Sequence, residues 1–170
     1  MSAFDELMAH QRRTEALSQV AGRLGWDQET MMPRGSAEQR GEEMGAMEGV
    51  LHARRTAPQV GEWLAAINDD ELDGIGQAQM RHIRRAYERT NRVPARLAAE
   101  IARVTSVAQG KWAAARGDDD YAAFAPVLKE VVQLRREEGL WTRPVEPLRR
   151  RQARLYSCIT RRWRCHRLQG

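Results

Sequence analysis

The chain has 170 residues, is 42% hydrophobic and 30% charged, and carries a formal net charge of +5. That length is enough for one domain with a core, no apolar run approaches the roughly 20 residues that cross a bilayer, and the acidic opening Met1-Ser2-Ala3-Phe4-Asp5-Glu6 lacks the apolar segment of a secretion signal. The positive charge sits at one end: residues 141–170 hold nine arginines, no lysine and one acid, Glu146, for a net +8, which leaves −3 for residues 1–140. A cytoplasmic location is the expectation, and with it free thiols at Cys158 and Cys165.

In chain order, Ser2 to about Leu24 reads as an amphipathic helix. Phe4, Leu7, Met8, Leu17, Val20, Ala21 and Leu24 recur mostly at three- and four-residue steps, and Ser2 with Asp5 forms an N-terminal capping signal. Gly22 and Gly25 weaken its last turn. The polar run Trp26-Asp27-Gln28-Glu29-Thr30 before Pro33 then predicts a corner between helices: Trp26 plugs the junction, Asp27 and Thr30 satisfy loose backbone groups, and Pro33 stops the helix. Ser36-x-x-Gln39 predicts a second capping box, opening a helix to about Arg55 that buries Met44, Met47, Val50 and Leu51. Gly41, Gly45 and Gly49 share one face of it, where another helix approaches closely. Pro58 opens a short helix through Ile67, and Asn68-Asp69-Asp70 ends it and caps the next. That next helix runs from Glu71 to Thr90 on a stripe of Leu72, Ile75, Met80, Ile83 and Tyr87. A long helix follows from Pro94, as first helical residue, to about Arg116. It buries Leu97, Ile101, Val104, Ala108 and Trp112, and Gly117 closes it. Asp118-Asp119-Asp120 favours the start of a last helix, Tyr121 to about Glu138, with Phe124, Val127, Leu128, Val131 and Leu134 inward. No segment reads as a strand. The expected class is all-α, an antiparallel array of about six helices.

Four stretches carry a resemblance. Leu24-Gly25-Trp26-Asp27-Gln28-Glu29-Thr30-Met31-Met32-Pro33, followed by Gly35-Ser36-Ala37-Glu38-Gln39-Arg40, resembles the N-terminal signature of the carboxypeptidase Taq family of zinc metallocarboxypeptidases. Arg84-Arg85-Ala86-Tyr87-Glu88-Arg89 with Val93-Pro94-Ala95 is similar to the family's next segment. So are Ala108-Gln109-Gly110-Lys111-Trp112 and the run from Phe124 to Val132. The matches stand in order over roughly residues 3–138. The resemblance implies the N-terminal helical part of a larger zincin-like α-helical metallopeptidase, a homodimer whose substrates are peptides. Its reaction is zinc-dependent hydrolytic release of C-terminal amino acids. It also implies that this region packs beside the substrate groove without supplying metal ligands. Trp26, Asp27, Gln28, Thr30 and Pro33 are then signature positions with a structural or groove-shaping role.

The family's chemistry rests on a His-Glu-x-x-His helix, two histidines on one face holding zinc and a glutamate activating water. The histidines here are His10, His52, His82 and His166, and none stands in that motif. His10, His52 and His82 read as surface or helix-face residues. Cys158, Cys165 and His166 lack the second ligand pair of a zinc knuckle. Asp27 and Glu29 point apart on a helix and lack a partner for acid–base work. Arg81, Arg84, Arg85 and Arg89 read as a solvated or salt-bridged face rather than a phosphate site. The expected product is therefore an N-terminal fragment, with no catalytic residue, metal ligand or cofactor of its own and no activity alone. Residues 139–170 read as a separate Arg-rich, disordered tail, the product of a shifted reading frame in GC-rich DNA. The alternative is a helical binding module whose basic tail, with Trp141, Tyr156 and Trp163, attaches non-specifically to nucleic acid or to an acidic partner.

Overall fold

A computed structural model describes residues 2–143, and the tail expectations beyond Arg143, including the frame shift and the Cys158–Cys165–His166 group, lie outside the described residues. Six α-helices fill that span: α1 (Ala3–Thr30), α2 (Ala37–Arg55), α3 (Pro58–Ala66), α4 (Gly74–Arg92), α5 (Ala95–Gly117) and α6 (Tyr121–Thr142). Two single 3-10 turns, Arg34–Ser36 and Asp69–Glu71, join them, and no strand occurs among the described residues. The all-α expectation holds, with differences at the helix ends that have physical causes.

At the N-terminus, the Ser2 hydroxyl accepts from the Asp5 backbone N–H (3.1 Å) and the Asp5 carboxylate accepts from the Ser2 backbone N–H (3.1 Å), a reciprocal capping box. The Ser2 hydroxyl also donates to the Asp5 carboxylate (2.8 Å), and this bond, followed by the one from the Ser2 backbone N–H, holds the exposed Asp5 carboxyl below the usual aspartate range. α1 does not stop at Leu24. It runs through Gly22 and Gly25 to Thr30, because residues past the glycines find partners on α5. Met31 and Met32 both donate to the Asp27 carbonyl (2.9 Å each) and end the helix there. Ser36 does not cap α2: it closes a 3-10 turn at φ −93°, ψ 7°, a conformation that turns its hydroxyl away from the next N–H groups. Asn68 caps the second 3-10 turn instead of a helix, so α4 starts later, on Asp73, whose carboxylate accepts from Gly76 N (2.7 Å). Pro94 flanks α5 rather than opening it.

The α5–α6 turn also differs from expectation. Gly117 stays helical, and Asp119 takes the left-handed conformation (φ 52°). The Asp120 N–H reaches back to the Ala115 carbonyl (2.8 Å). That is the six-to-one bond of a Schellman cap, with aspartate where glycine is usual. The Asp120 side chain then caps α6 by accepting from Ala123 N (3.0 Å). α6 passes Gly139 and ends at Thr142, four residues beyond the helix end read from periodicity.

Two clusters stand out in the apolar interior, with buried Leu51, Val104, Val107, Ala108, Ala115 and Val127 outside both. Leu7 (α1), Val60 and Leu64 (α3) and Met80 (α4) form one buried cluster, with Phe4, Met8, Trp63 and Tyr87 packed against it. Val93, Leu97 and Ile101 form the other, against Ala98 and Leu134. Between them α2 lies along α5 with its glycines in the seam. A Cβ on Gly41 would stand 2.7 Å from Val107 Cγ2, and one on Gly45 would stand 3.3 Å from the Ala99 carbonyl oxygen. Gly49, expected on the same contact, faces open space. Four residues placed on apolar stripes by periodicity are not interior: Val20, Val50, Ile75 and Trp112 are 38%, 50%, 70% and 50% exposed. Each sits at the edge of its stripe, where no neighbouring helix among the described residues covers it.

Candidate functional site

The second half of α1 places the signature residues along α5. Gln28 is the centre. Its side-chain amide N–H groups donate to the Ser106 carbonyl (2.8 Å) and the Gln109 side-chain oxygen (3.3 Å), and its own oxygen accepts from the Ser106 hydroxyl (2.7 Å). Ser106 is buried, so this exchange satisfies a hydroxyl that would otherwise be costly in the interior. Asp27 faces the other way and pairs with Arg40 of α2 (2.6 Å). Arg40 also pairs with Glu43 (2.8 Å) and donates to the Leu24 carbonyl. With its side chain only 11% exposed, Arg40 ties the end of α1 to the start of α2. These bonds, led by the one to Asp27, favour the charged guanidinium and raise its pKa above the usual arginine value.

The remaining signature positions are less engaged. The Thr30 hydroxyl donates to the Trp26 carbonyl one turn back (2.7 Å), so it satisfies a helix end as expected. Pro33 precedes the 3-10 turn with φ −59°. Trp26 does not plug a junction: it is 64% exposed, because α1 continues as helix and turns the ring outward. Glu29 is exposed, and Asp27 is committed to Arg40, so the two carboxylates do not form an acid–base pair.

Around Gln28 the helices leave two adjoining clefts of about 470 and 480 Å³ that share Gln28, Glu29 and Gln109. One continues over Met44 and Ile101 to Glu48, Arg135 and Glu138; the other continues to Thr30, Arg34 and Lys111. The Gln28–Gln109 contact bridges them. Sequence reasoning singled out Gln28 but missed Ser106, whose only signal is a hydroxyl amid the apolar stripe of α5, three residues before Gln109.

Glu48, in the first cleft, is the one carboxyl there displaced upward. Burial pushes it above the usual glutamate range, against the opposing pull of Arg55, 3.3 Å away. A raised folded-state value means that this group's contribution to stability is fully present below the unfolded glutamate value, about 4.3. It is lost as pH rises through the raised value. Glu48→Gln is therefore expected to flatten the rise in melting temperature on acidification from pH 7 toward 4.5. Superimposable curves for the two proteins would show that Glu48 is not desolvated.

Two of the three histidines among the described residues have structural roles. Buried His52 sets Nε2 2.8 Å from the Val93 carbonyl oxygen, so that nitrogen carries the proton and donates. It links α2 to the loop before α5: of the reading as a surface or helix-face residue, the helix face holds and the surface does not. His10 Nε2 does the same toward the Arg54 carbonyl (2.9 Å) and packs against Trp63, ring centres 5.6 Å apart. His82 is exposed. Among the described residues, no three of His, Cys, Asp and Glu are grouped so as to hold a metal ion. On α4, Arg84 donates to the Leu64 and Ile67 carbonyls and pairs with Asp69 (2.8 Å), capping α3 as part of a salt-bridged face. No helix among the described residues is long and apolar enough to cross a membrane.

Comparison with known proteins gives this arrangement an ancestry. The chain is 38% identical over 152 residues to thermostable carboxypeptidase 1 of Thermus thermophilus, a match covering 86% of this chain and 30% of the relative. It is 25% identical to thermostable carboxypeptidase 1 of Pyrococcus furiosus over 84% of this chain and 33% of that one. Among solved structures, the BsuCP crystal structure shares the fold with a TM-score of 0.80 at 20% identity, covering 85% of this chain and 29% of that chain. The Pyrococcus furiosus carboxypeptidase Apo-Mg structure follows at 0.64 and 21%, covering 86% and 30%. This chain thus spans about 30% of the length of the first of these relatives. The family model for carboxypeptidase Taq (M32) metallopeptidase matches residues 6–146, which take in α1 from its second turn, α2 to α6 and all four of the ordered sequence stretches; the chain belongs to that family.

Proposed function

We propose that this chain is the N-terminal helical portion of a metallocarboxypeptidase, whose whole-protein reaction is metal-dependent release of C-terminal amino acids from peptides. In this reading it has no such activity by itself. The carrying observation is the 38% identity to a carboxypeptidase of which the match spans only 30%, in a sequence without His-Glu-x-x-His. The divalent metal expected of the family does not fit the residues described, which offer no cluster of ligands, and no hydrolytic step is assigned to them. In this role the Gln28–Ser106–Gln109 network and the Asp27–Arg40–Glu43 group fix the α1–α2 junction against α5 and shape one wall beside a substrate groove. A cytoplasmic homodimer is the corresponding state of the whole protein.

The purified 170-residue chain, supplied with zinc or another divalent metal, is expected to release no C-terminal amino acid from a model peptide above the rate of buffer. Metal-dependent release would overturn the reading. The tail belongs to the same proposal: residues from about 139 onward are read as a shifted frame, a start that α6, reaching Thr142, and the family match, reaching residue 146, move later. Nucleotide sequence of the locus in three frames tests it, since a frame that continues into His-Glu-x-x-His supports it and an intact gene encoding the tail as written does not. The alternative of a helical nucleic-acid-binding module gains no support from the comparisons.

A further inference from the structure

α4 carries five arginines and one glutamate, a net +4, whereas the other residues up to 140 sum to −7. Arg84 is turned toward α3 and pairs with Asp69. The other four, Arg81, Arg85, Arg89 and Arg92, are exposed, and none pairs with a carboxylate among the described residues. At 3.6 residues per turn they fall within about 80° of arc and run for about 16 Å along the helix. Glu88 is the one acid on that arc. Local energetics account for half of the row. Arg89 and Arg92 stand in the last turn, where the helix dipole favours cations. Arg81 and Arg85 stand before it, and like charges four residues apart oppose helix formation. Elsewhere in residues 1–140 no three arginines or lysines follow one another at four-residue steps. Exposed Arg13, Arg23, Arg34 and Arg136 are scattered over three other elements.

The partner follows from what the face holds and what it lacks. Protein interfaces are anchored by buried aromatic and apolar side chains, and helices that lie on membranes sink an apolar face beside the basic one. The one exposed large apolar side chain of α4 is Ile75, in its first turn, and none stands among the four arginines. Unpaired bases need aromatic rings to stack on, and Tyr87 is turned inward against the Leu7 cluster. What remains is a straight row of guanidinium groups, whose forked donors match phosphate oxygens. Duplex nucleic acid presents a negative charge about every 1.7 Å along its axis, and its neutralisation releases counterions. We infer that the Arg81–Arg85–Arg89–Arg92 row is a docking surface for the phosphate backbone of double-stranded nucleic acid, without readout of base sequence. The surface belongs to the helical body rather than to the basic tail, and it does not depend on the carboxypeptidase reading.

The test measures binding of the full 170-residue chain to a short mixed-sequence DNA duplex by fluorescence anisotropy over a series of salt concentrations. Glutamine at all four positions (Arg81→Gln, Arg85→Gln, Arg89→Gln and Arg92→Gln together) is expected to make the slope of log K against log salt shallower by about 3–4, because each phosphate contact contributes about 0.9. Far-ultraviolet dichroism should stay unchanged. The control removes the same charge elsewhere, with glutamine at Arg13, Arg23, Arg34 and Arg136, and should change the slope by less than about 1. An unchanged slope in the α4 variant assigns all binding to the tail and overturns the inference. Equal changes in the two variants reduce the effect to net charge and also overturn it. Contact is read directly by photo-cross-linking from p-benzoylphenylalanine at His82, beside the row, or at exposed Gln133 on α6. Cross-links from position 82 and not from 133 support the surface; cross-links only from the same probe at Trp163 in the tail overturn it. Phosphatidylserine vesicles and polyglutamate are titrated in parallel. Loss of binding to either, with duplex binding intact, would show that the row serves a membrane or an acidic polypeptide instead.

Discussion

Leu7→Ala is expected to lower the free energy of unfolding by about 3 kcal/mol, within the range of buried leucine truncations. Leu7 is fully buried and meets Val60, Leu64 and Met80, which come from two other helices. Truncation removes the methyls from water-free contact and leaves a hole that three helices cannot close without moving. Natural domains of this size carry a margin of only about 5–15 kcal/mol, so the loss is a large share. Urea titration followed by circular dichroism reads it as a lower midpoint at unchanged slope. A loss below about 1 kcal/mol would show that the cluster of α1, α3 and α4 is not a formed core in solution. Val20→Ala on the same helix, at an exposed position, is the control and should cost a few tenths.

Gly41→Leu is the second large effect, and its sign is not obvious in advance. Replacing a helical glycine removes a propensity penalty of about 1 kcal/mol. Against that, the new Cβ would stand 2.7 Å from Val107 Cγ2 and 3.3 Å from the Arg103 carbonyl oxygen. The methyl can turn aside; the carbonyl belongs to the backbone of α5 and cannot without moving the helix. A side chain extending further into that seam forces α2 and α5 apart. Overpacking of this kind costs about 1–3 kcal/mol, so after the propensity gain a net loss of about 1 kcal/mol, and up to about 2, is expected. Gly49→Ala is the matched comparison. It faces open space on the same helix, and should stabilise by up to about 1 kcal/mol. If both substitutions stabilise, the α2–α5 seam is looser than the distances state.

The interior and the number of helices were legible from local signals. Ser2 with Asp5, Pro58, and the stripes through Leu97–Ile101–Val104 and Val127 reported them because a cap or a periodic face is written within a few residues. The first two errors share a cause, which is that the deciding partner was distant; the third is local. α1 outlasts its glycines because Gln28 bonds Ser106 and Gln109, 78 and 81 residues away. His52 is interior because the Val93 carbonyl lies 41 residues on. The α5–α6 turn was placed on Gly117 because glycine is the usual left-handed residue, whereas the chain uses Asp119. Of the site, Gln28 and Asp27 were visible through the family signature, but their bonds were not, since no local pattern predicts which helix a side chain will meet.

The two clusters give α1 a second role. At about 1.5 Å per residue, its 28 residues extend past the Leu7 cluster and reach the polar contacts on α5. Its first half is held by α3 and α4 and, through His10 and Thr14, by Arg54 at the end of α2; its second half is held by the start of α2 and by α5. Proteins open in cooperative blocks that follow such packing units. Here one continuous backbone ladder belongs to both blocks, so exchange of amide hydrogens near Thr14, between the two halves, reports how tightly their openings are joined.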